Sequence, residues 1–125
     1  MMSNAAERGA AVRREVLGPE RADRPPEPFA VPFREWVLDA AWGQVWDRPG
    51  LDRRTRSCVT LAVLTALRCD DELEMHVEAA LRNGVTPDEI AEVLLHTTVY
   101  AGAPAGNAAF AIASRVLSAQ EGRPE

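Results

Sequence analysis

Lysine is missing from this chain: all fourteen basic residues are arginine, so no side-chain amine is available for Schiff-base chemistry. Cysteine is scarce, with Cys58 and Cys69 eleven residues apart, too few for a disulfide framework. Positive charge is in deficit, 14 basic against 19 acidic residues for a net charge of −5, which argues against a nucleic-acid partner. No apolar run reaches membrane-spanning length and the polar, charged N-terminus has no signal-peptide pattern, so a cytoplasmic protein without a membrane partner is expected. Strand-like alternation of apolar and polar residues is also lacking, which leaves an all-α class. What remains is 125 residues, 46% apolar and only 6% aromatic, enough for one domain spanning residues 1–125. Residues 1–4 and 120–125 read as disordered tails.

The rest of the chain is arranged around a helical hairpin between Leu51 and Gly84. Its first arm begins after Asp52, a candidate N-cap, with Arg53-Arg54-Thr55-Arg56-Ser57-Cys58 and continues as an apolar run from Val59 to Leu67. Apolar on nearly every face, this arm is expected to be surrounded by protein. After a link at 68–70, the second arm runs from Asp71 to Asn83, and Gly84 supplies its C-terminal turn.

Outside the hairpin, Ala5 to Leu17 fits a short amphipathic helix with Ala6, Ala10 or Ala11, Val16 and Leu17 on one side. Three prolines and five charges in 20–28 predict an extended arm. Pro32 opens a helix through Ala41 whose apolar side is Phe33, Trp36, Val37 and Ala40. Trp42 and Trp46 follow on one helical face, before the turn at Pro49-Gly50. Thr86, Pro87 and Glu89 spell a capping box that opens a helix to about Ala101. Gly102-Ala103-Pro104 separates it from a last, alanine-rich helix over about 105–119, making about six helices in all.

Both histidines stand four residues after a glutamate, Glu72 before His76 and Glu92 before His96, and each pair shares a helical face. A neighbouring carboxylate favours the imidazolium, so Glu72 can hold His76 in a proton-donating form; the alternative is a histidine that borders the core. Carboxylate-bridged dimetal bundles space Glu and His by three rather than four residues, so no metal site is expected. Arg53, Arg54 and Arg56 oppose the helix macrodipole, an arrangement that suits binding of an anion but also ordinary pairing with surface acids.

The segments Trp42-Gly43-x-x-Trp46-x-Arg48-Pro49-Gly50-Leu51-Asp52-Arg53-Arg54-Thr55-Arg56-Ser57, His76-Val77-x-Ala79-Ala80-Leu81-Arg82-Asn83-Gly84-Val85-Thr86, Glu89-Ile90-x-Glu92-Val93-Leu94-Leu95 and Tyr100-Ala101-Gly102-x-Pro104-Ala105 resemble the carboxymuconolactone decarboxylase family, within the alkylhydroperoxidase-like superfamily. Arg13-Arg14-x-Val16-Leu17-Gly18 extends the match weakly to the N-terminus. The peroxidase branch resembles Cys-x-x-Cys-x-x-x-His, whereas here Cys69 precedes Glu72 and His76, and Ser57 stands where that branch has a proton-relay glutamate. Cys58 replaces an aliphatic residue, Glu78 a basic one and Gly106 an alanine of the decarboxylase pattern.

The resemblance implies an alkylhydroperoxidase-like helical bundle that decarboxylates 4-carboxymuconolactone to 3-oxoadipate enol-lactone in protocatechuate catabolism, without a cofactor. It makes His76 the proton donor steadied by Glu72, and Arg53 and Arg56 the grips for substrate carboxylates. Arg48 joins them, with Trp42 and Trp46 as walls of the site. The implied partners are a dicarboxylate lactone and further copies of the chain, as a homo-oligomer of hexameric type. The alternatives are thiol redox chemistry at Cys69 and decarboxylation of a related lactone.

Overall fold

The computed structural model describes residues 2–122; the expectations for residue 1 and for 123–125 lie outside the described residues. The described chain is helical, and no strand occurs among the described residues. It divides into two compact units, one up to Arg53 and one from Arg54 onward.

The first unit contains α1 (Asn4–Leu17), the single turn α2 (Pro19–Ala22), a 3₁₀ turn (Pro28–Ala30), α3 (Val31–Val37) and a π-helical segment (Leu38–Trp46). Ser3 caps α1 by accepting from the Ala6 N–H at 3.0 Å, so order begins earlier than the composition implied. The buried face of α1 is Ala6, Gly9, Val12, Val16 and Leu17, against which the π-helical segment lies. Gly9 and Gly43 make that contact possible: a Cβ on Gly9 would stand 1.8 Å from the Leu38 carbonyl oxygen, and one on Gly43 2.1 Å from that of Ala5. Asp39, within the segment, accepts from Ser3 and Gln44, and these hydrogen bonds hold its carboxyl below the usual carboxylate range.

Two expectations change here. The arm over 20–28 is partly helical, because Pro19 fits the first turn of a helix, where its missing N–H costs nothing. The helix expected over 32–41 widens at Leu38 into π geometry and continues to Trp46. Its predicted apolar face is open, with Phe33 and Trp36 stacked on each other at 6.3 Å and both more than half exposed.

The second unit comprises α4 (Arg53–Ala66, whose first residue closes the first unit), α5 (Asp70–Arg82), α6 (Pro87–Ala101) and α7 (Ala103–Glu121). Its core joins Leu61 of α4, Leu73, Val77 and Ala80 of α5, Val85, Ile90 and Leu94 around α6, and Ala109, Ile112, Ala113 and Val116 of α7. The α4–α5 link is a Schellman turn in which Arg68 adopts φ 61° and the Cys69 N–H donates to the Leu64 carbonyl at 2.9 Å. Helix α5 closes the same way, through Gly84 at φ 91°, with the Val85 N–H donating to Ala80 at 2.9 Å. Thr86 and Glu89 form the expected capping box. Pro104 falls in the first turn of α7, so that helix starts at Ala103, two residues early, and its end at Glu121 takes in residues expected as tail.

The hairpin is present, but its first arm is not surrounded. Helix α4 buries only Ser57, Leu61 and Thr65, while Val59, Val63 and Leu67 are exposed. An all-round apolar sequence reports how much surface needs covering; a helix packed along one stripe leaves the remainder open.

Candidate active site

The two arms of the hairpin bring the histidine and one arginine into the same unit. On α5 the core face is Leu73, Val77 and Ala80, and His76 shares their burial at 8% exposure. Glu72, one turn earlier, is exposed and makes no hydrogen bond or ion pair with His76 among the described residues. On α4, Arg56 is half-buried with its Nε atom out of contact with solvent. The Arg56 carbonyl accepts from the Thr60 hydroxyl at 2.8 Å.

The register of the hairpin is fixed at both ends. Asn83 at the C-cap of α5 donates through Nδ2 to the Ser57 hydroxyl at 2.8 Å, a polar link with Ser57 only 1% exposed. At the other end the Cys69–Leu64 backbone bond closes the turn. A cationic first turn on α4 is thereby held at the open end of the hairpin, and the histidine of α5 lies about two turns farther in.

Two further arginines of this turn are ion-paired. Arg53 is ion-paired with Glu15 within the first unit, and Arg54 with Glu89 within the second, where Glu89 also serves the capping box. Also within the first unit, the Trp42 and Trp46 rings stack with centroids 5.0 Å apart, Trp42 buried and Trp46 half-buried, while Arg48 is exposed. Cys58 and Cys69 are free thiols, both half-buried. The Cys69 thiol donates to the Leu67 carbonyl at 3.9 Å.

Two features escaped the sequence reading. Thr65, inside the apolar run of α4, is buried at 2% exposure, and its hydroxyl has no hydrogen-bond partner among the described residues. A polar residue within an otherwise apolar stretch was the available signal. The second is a cavity of about 320 Å³ between α4 and α6, lined by Ala62, Val63, Ala66, His96, Thr97 and Tyr100. His96 and Tyr100 contact each other there with ring centroids 5.5 Å apart.

Residues 32–115 match the model of the carboxymuconolactone decarboxylase family. The chain is 50% identical over 112 residues to 4-carboxymuconolactone decarboxylase of Acinetobacter baylyi, covering 87% of this chain and 84% of that protein. It is 40% identical over 113 residues to nitrosuccinic acid decarboxylase of Metarhizium robertsii, covering 88% of this chain and 79% of the relative. A third relative, an uncharacterised 15.0 kDa protein of Paracoccus denitrificans, is 32% identical over 87 residues, 68% of this chain and 65% of the relative. A match over most of the chain, spanning the arginine turn, the buried histidine and the capping box together, leaves one assignment: the chain belongs to the carboxymuconolactone decarboxylase family.

Proposed function

We propose that this protein is a carboxy-lyase that converts 4-carboxymuconolactone to 3-oxoadipate enol-lactone and CO₂ without a cofactor, as one functional domain in the cytoplasm. The observation that carries the reading is the half-identity to a 4-carboxymuconolactone decarboxylase over 87% of the chain. The chemistry is compatible with the side chains at hand. The carbon that loses CO₂ is conjugated through a ring alkene to the lactone carbonyl. The breaking C–C bond can therefore leave its electrons as a dienolate, and one proton delivered to carbon completes the product.

His76 is the proton donor in this scheme. Glu72, one turn away on the same helix, contributes a negative field that favours the protonated imidazole. Arg56 grips a substrate carboxylate in two-point fashion, and Arg53 and Arg48 supply further cations. The family resemblance also puts forward Trp42 and Trp46 as groups that exclude water from a bound substrate. Positioned acid catalysis contributes about 10²–10⁴-fold. The test mixes the purified protein with enzymatically prepared 4-carboxymuconolactone and follows its loss by absorbance. Turnover by the native chain, and its loss by at least about 100-fold in a folded His76→Ala variant, is the expected result. Unchanged turnover in that variant removes His76 from the mechanism.

A second substrate has an observation in its favour, the 40% identity to a nitrosuccinic acid decarboxylase. A nitro group beside the departing carboxylate is an electron sink equivalent to the conjugated lactone. The same grip and the same proton donor therefore serve both, and a side-by-side assay of the two acids decides between them.

We also propose that the chain works as a homo-oligomer of hexameric type. The support is the exposed apolar side of α4 together with Leu95, Val99 and Tyr100 of α6, the last two more than 70% exposed.

A further inference from the structure

Helices α4 and α6, within the second unit, run the same way. Arg54, in the first turn of α4, is ion-paired with Glu89, in the first turn of α6. Eight and twelve residues beyond that pair stand Ala62 and Ala66 on α4, and Thr97 and Ala101 on α6. These four, with Val63, His96 and Tyr100, line the cavity of about 320 Å³. The ion pair therefore joins the two helices at their starting ends, and about 12 Å further along they leave a groove between them.

This groove has little to offer water. The Thr97 hydroxyl already donates to the Val93 carbonyl at 2.7 Å, and the His96 ring lies against Tyr100. An ordered water needs roughly two to four polar partners, whereas an apolar cavity of about 150 Å³ takes up a benzene-sized molecule instead. Charge is absent from both walls as well. In a chain with 26% charged residues, neither 57–67 nor 93–114 contains an aspartate, glutamate or arginine. Depletion of charge marks the centre of a contact between proteins. It matters all the more for copies that each carry a net charge of −5 and so repel.

Symmetry selects the occupant. Two copies related by a two-fold axis present the same patch to each other, so residues beside the groove on one copy meet the groove of the other. Tyr100 stands at the groove, is 81% exposed and is the only tyrosine in the chain. A ring with two rotatable bonds fills such a seat at low entropic cost. Its hydroxyl needs a partner once buried, and the His96 imidazole in the lining can donate or accept. With Val59, Val63, Leu67, Leu95 and Val99, the exposed apolar surface is on the order of 600 Å² per copy, approaching the ~800 Å² per partner of a standard interface.

Resting on the reading of the chain as a homo-oligomer, we propose that the groove between α4 and α6 is the seat for the Tyr100 ring of a second copy. The contact is made twice, once in each direction across a two-fold axis. In each, the ring packs on the Ala62 and Ala66 methyl groups and the His96 ring of the receiving copy.

The first test uses the single tyrosine as its own label. Copies with isotope-labelled alanine methyl groups in a deuterated background are refolded together with copies in which only tyrosine is protonated. A nuclear Overhauser effect between Tyr100 and alanine then arises only between copies, and cross-peaks to Ala62 and Ala66 are expected. The second test measures association of Tyr100→Ala and of Ala66→Phe, which plugs the seat from within, by sedimentation. Each should weaken pairing by about 30-fold or more, the scale of an aromatic anchor, with helical circular dichroism retained. Absence of the cross-peaks in an assembled chain, or native pairing in either variant, overturns the seat and leaves the homo-oligomer standing. A native chain that stays monomeric at every concentration overturns the homo-oligomer and the seat together.

Discussion

A carboxylate four residues from a histidine reads as a pair in sequence, but the two side chains can reach different environments. His76 turns into the core and Glu72 stays in solvent. An exposed charge acts on a neighbour through water and is screened by salt, so its energetic reach is on the order of 1 kcal/mol or less. Glu72→Gln should accordingly lower kcat by no more than about fivefold at low ionic strength, with the difference shrinking as salt is added. The measurement is kcat for native and variant chains at two ionic strengths. A salt-independent loss as large as that of His76→Ala would show that Glu72 touches the reacting atoms. Arg53 and Arg54 teach a related lesson: the helix N-terminus marks them as candidate anion ligands, yet each already has a carboxylate, Glu15 and Glu89. Sequence spacing identifies which groups share a face; burial and partner choice come from the packing of other elements on that face.

Elements defined by local chemistry were legible in advance. The capping box at Thr86, the turn through Gly84 and the hairpin that ends there follow from rules that operate within a few residues. The turn after α4 was harder to read because Arg68, not glycine, takes the positive φ. The π-helical widening at Leu38 was invisible, since it accompanies a backbone-to-backbone approach of Gly9 and Gly43 that no single segment encodes. Close approach is also the reason for Gly106, where the family pattern has alanine. A Cβ there would lie 2.3 Å from the Thr98 hydroxyl and 2.9 Å from its methyl group. Thr98 is β-branched, stiff and bonded to the Leu94 carbonyl, so it cannot easily swing aside. Gly106→Ala gains up to about 1 kcal/mol of helix propensity but meets an overpacking cost of about 1–3 kcal/mol, for a net loss of about 1 kcal/mol. Adding Thr98→Ala removes the obstruction and should recover that loss. Urea unfolding of the single and double variants checks this, and a Gly106→Ala chain as stable as the native one would show that α6 and α7 can separate freely.

At the scale of the whole molecule, the exposed apolar side of α4 and α6 links packing to assembly. Val59, Val63 and Leu67 are 50%, 46% and 68% exposed, and Leu95, Val99 and Tyr100 are 56%, 75% and 81% exposed. Both rows flank the cavity of about 320 Å³ whose lining is almost wholly hydrocarbon. Contiguous surface of this kind is uncommon on a soluble chain that stays alone, because each Å² left in water forgoes about 25 cal/mol. A further copy of the same chain is the partner always present at matching concentration, and a self-complementary face closes without leaving a new edge. Val63 belongs to both the row and the cavity wall, so it is the residue at which a charge does most harm to association and least to the core. Val63→Glu should shift the protein to a smaller species by size-exclusion chromatography with light scattering, while its far-ultraviolet circular dichroism stays helical. The assembled native chain should also melt at a temperature that rises with protein concentration, a dependence lost in the variant. If the native chain runs as a monomer at every concentration tested, the apolar face has another use and the homo-oligomer is wrong.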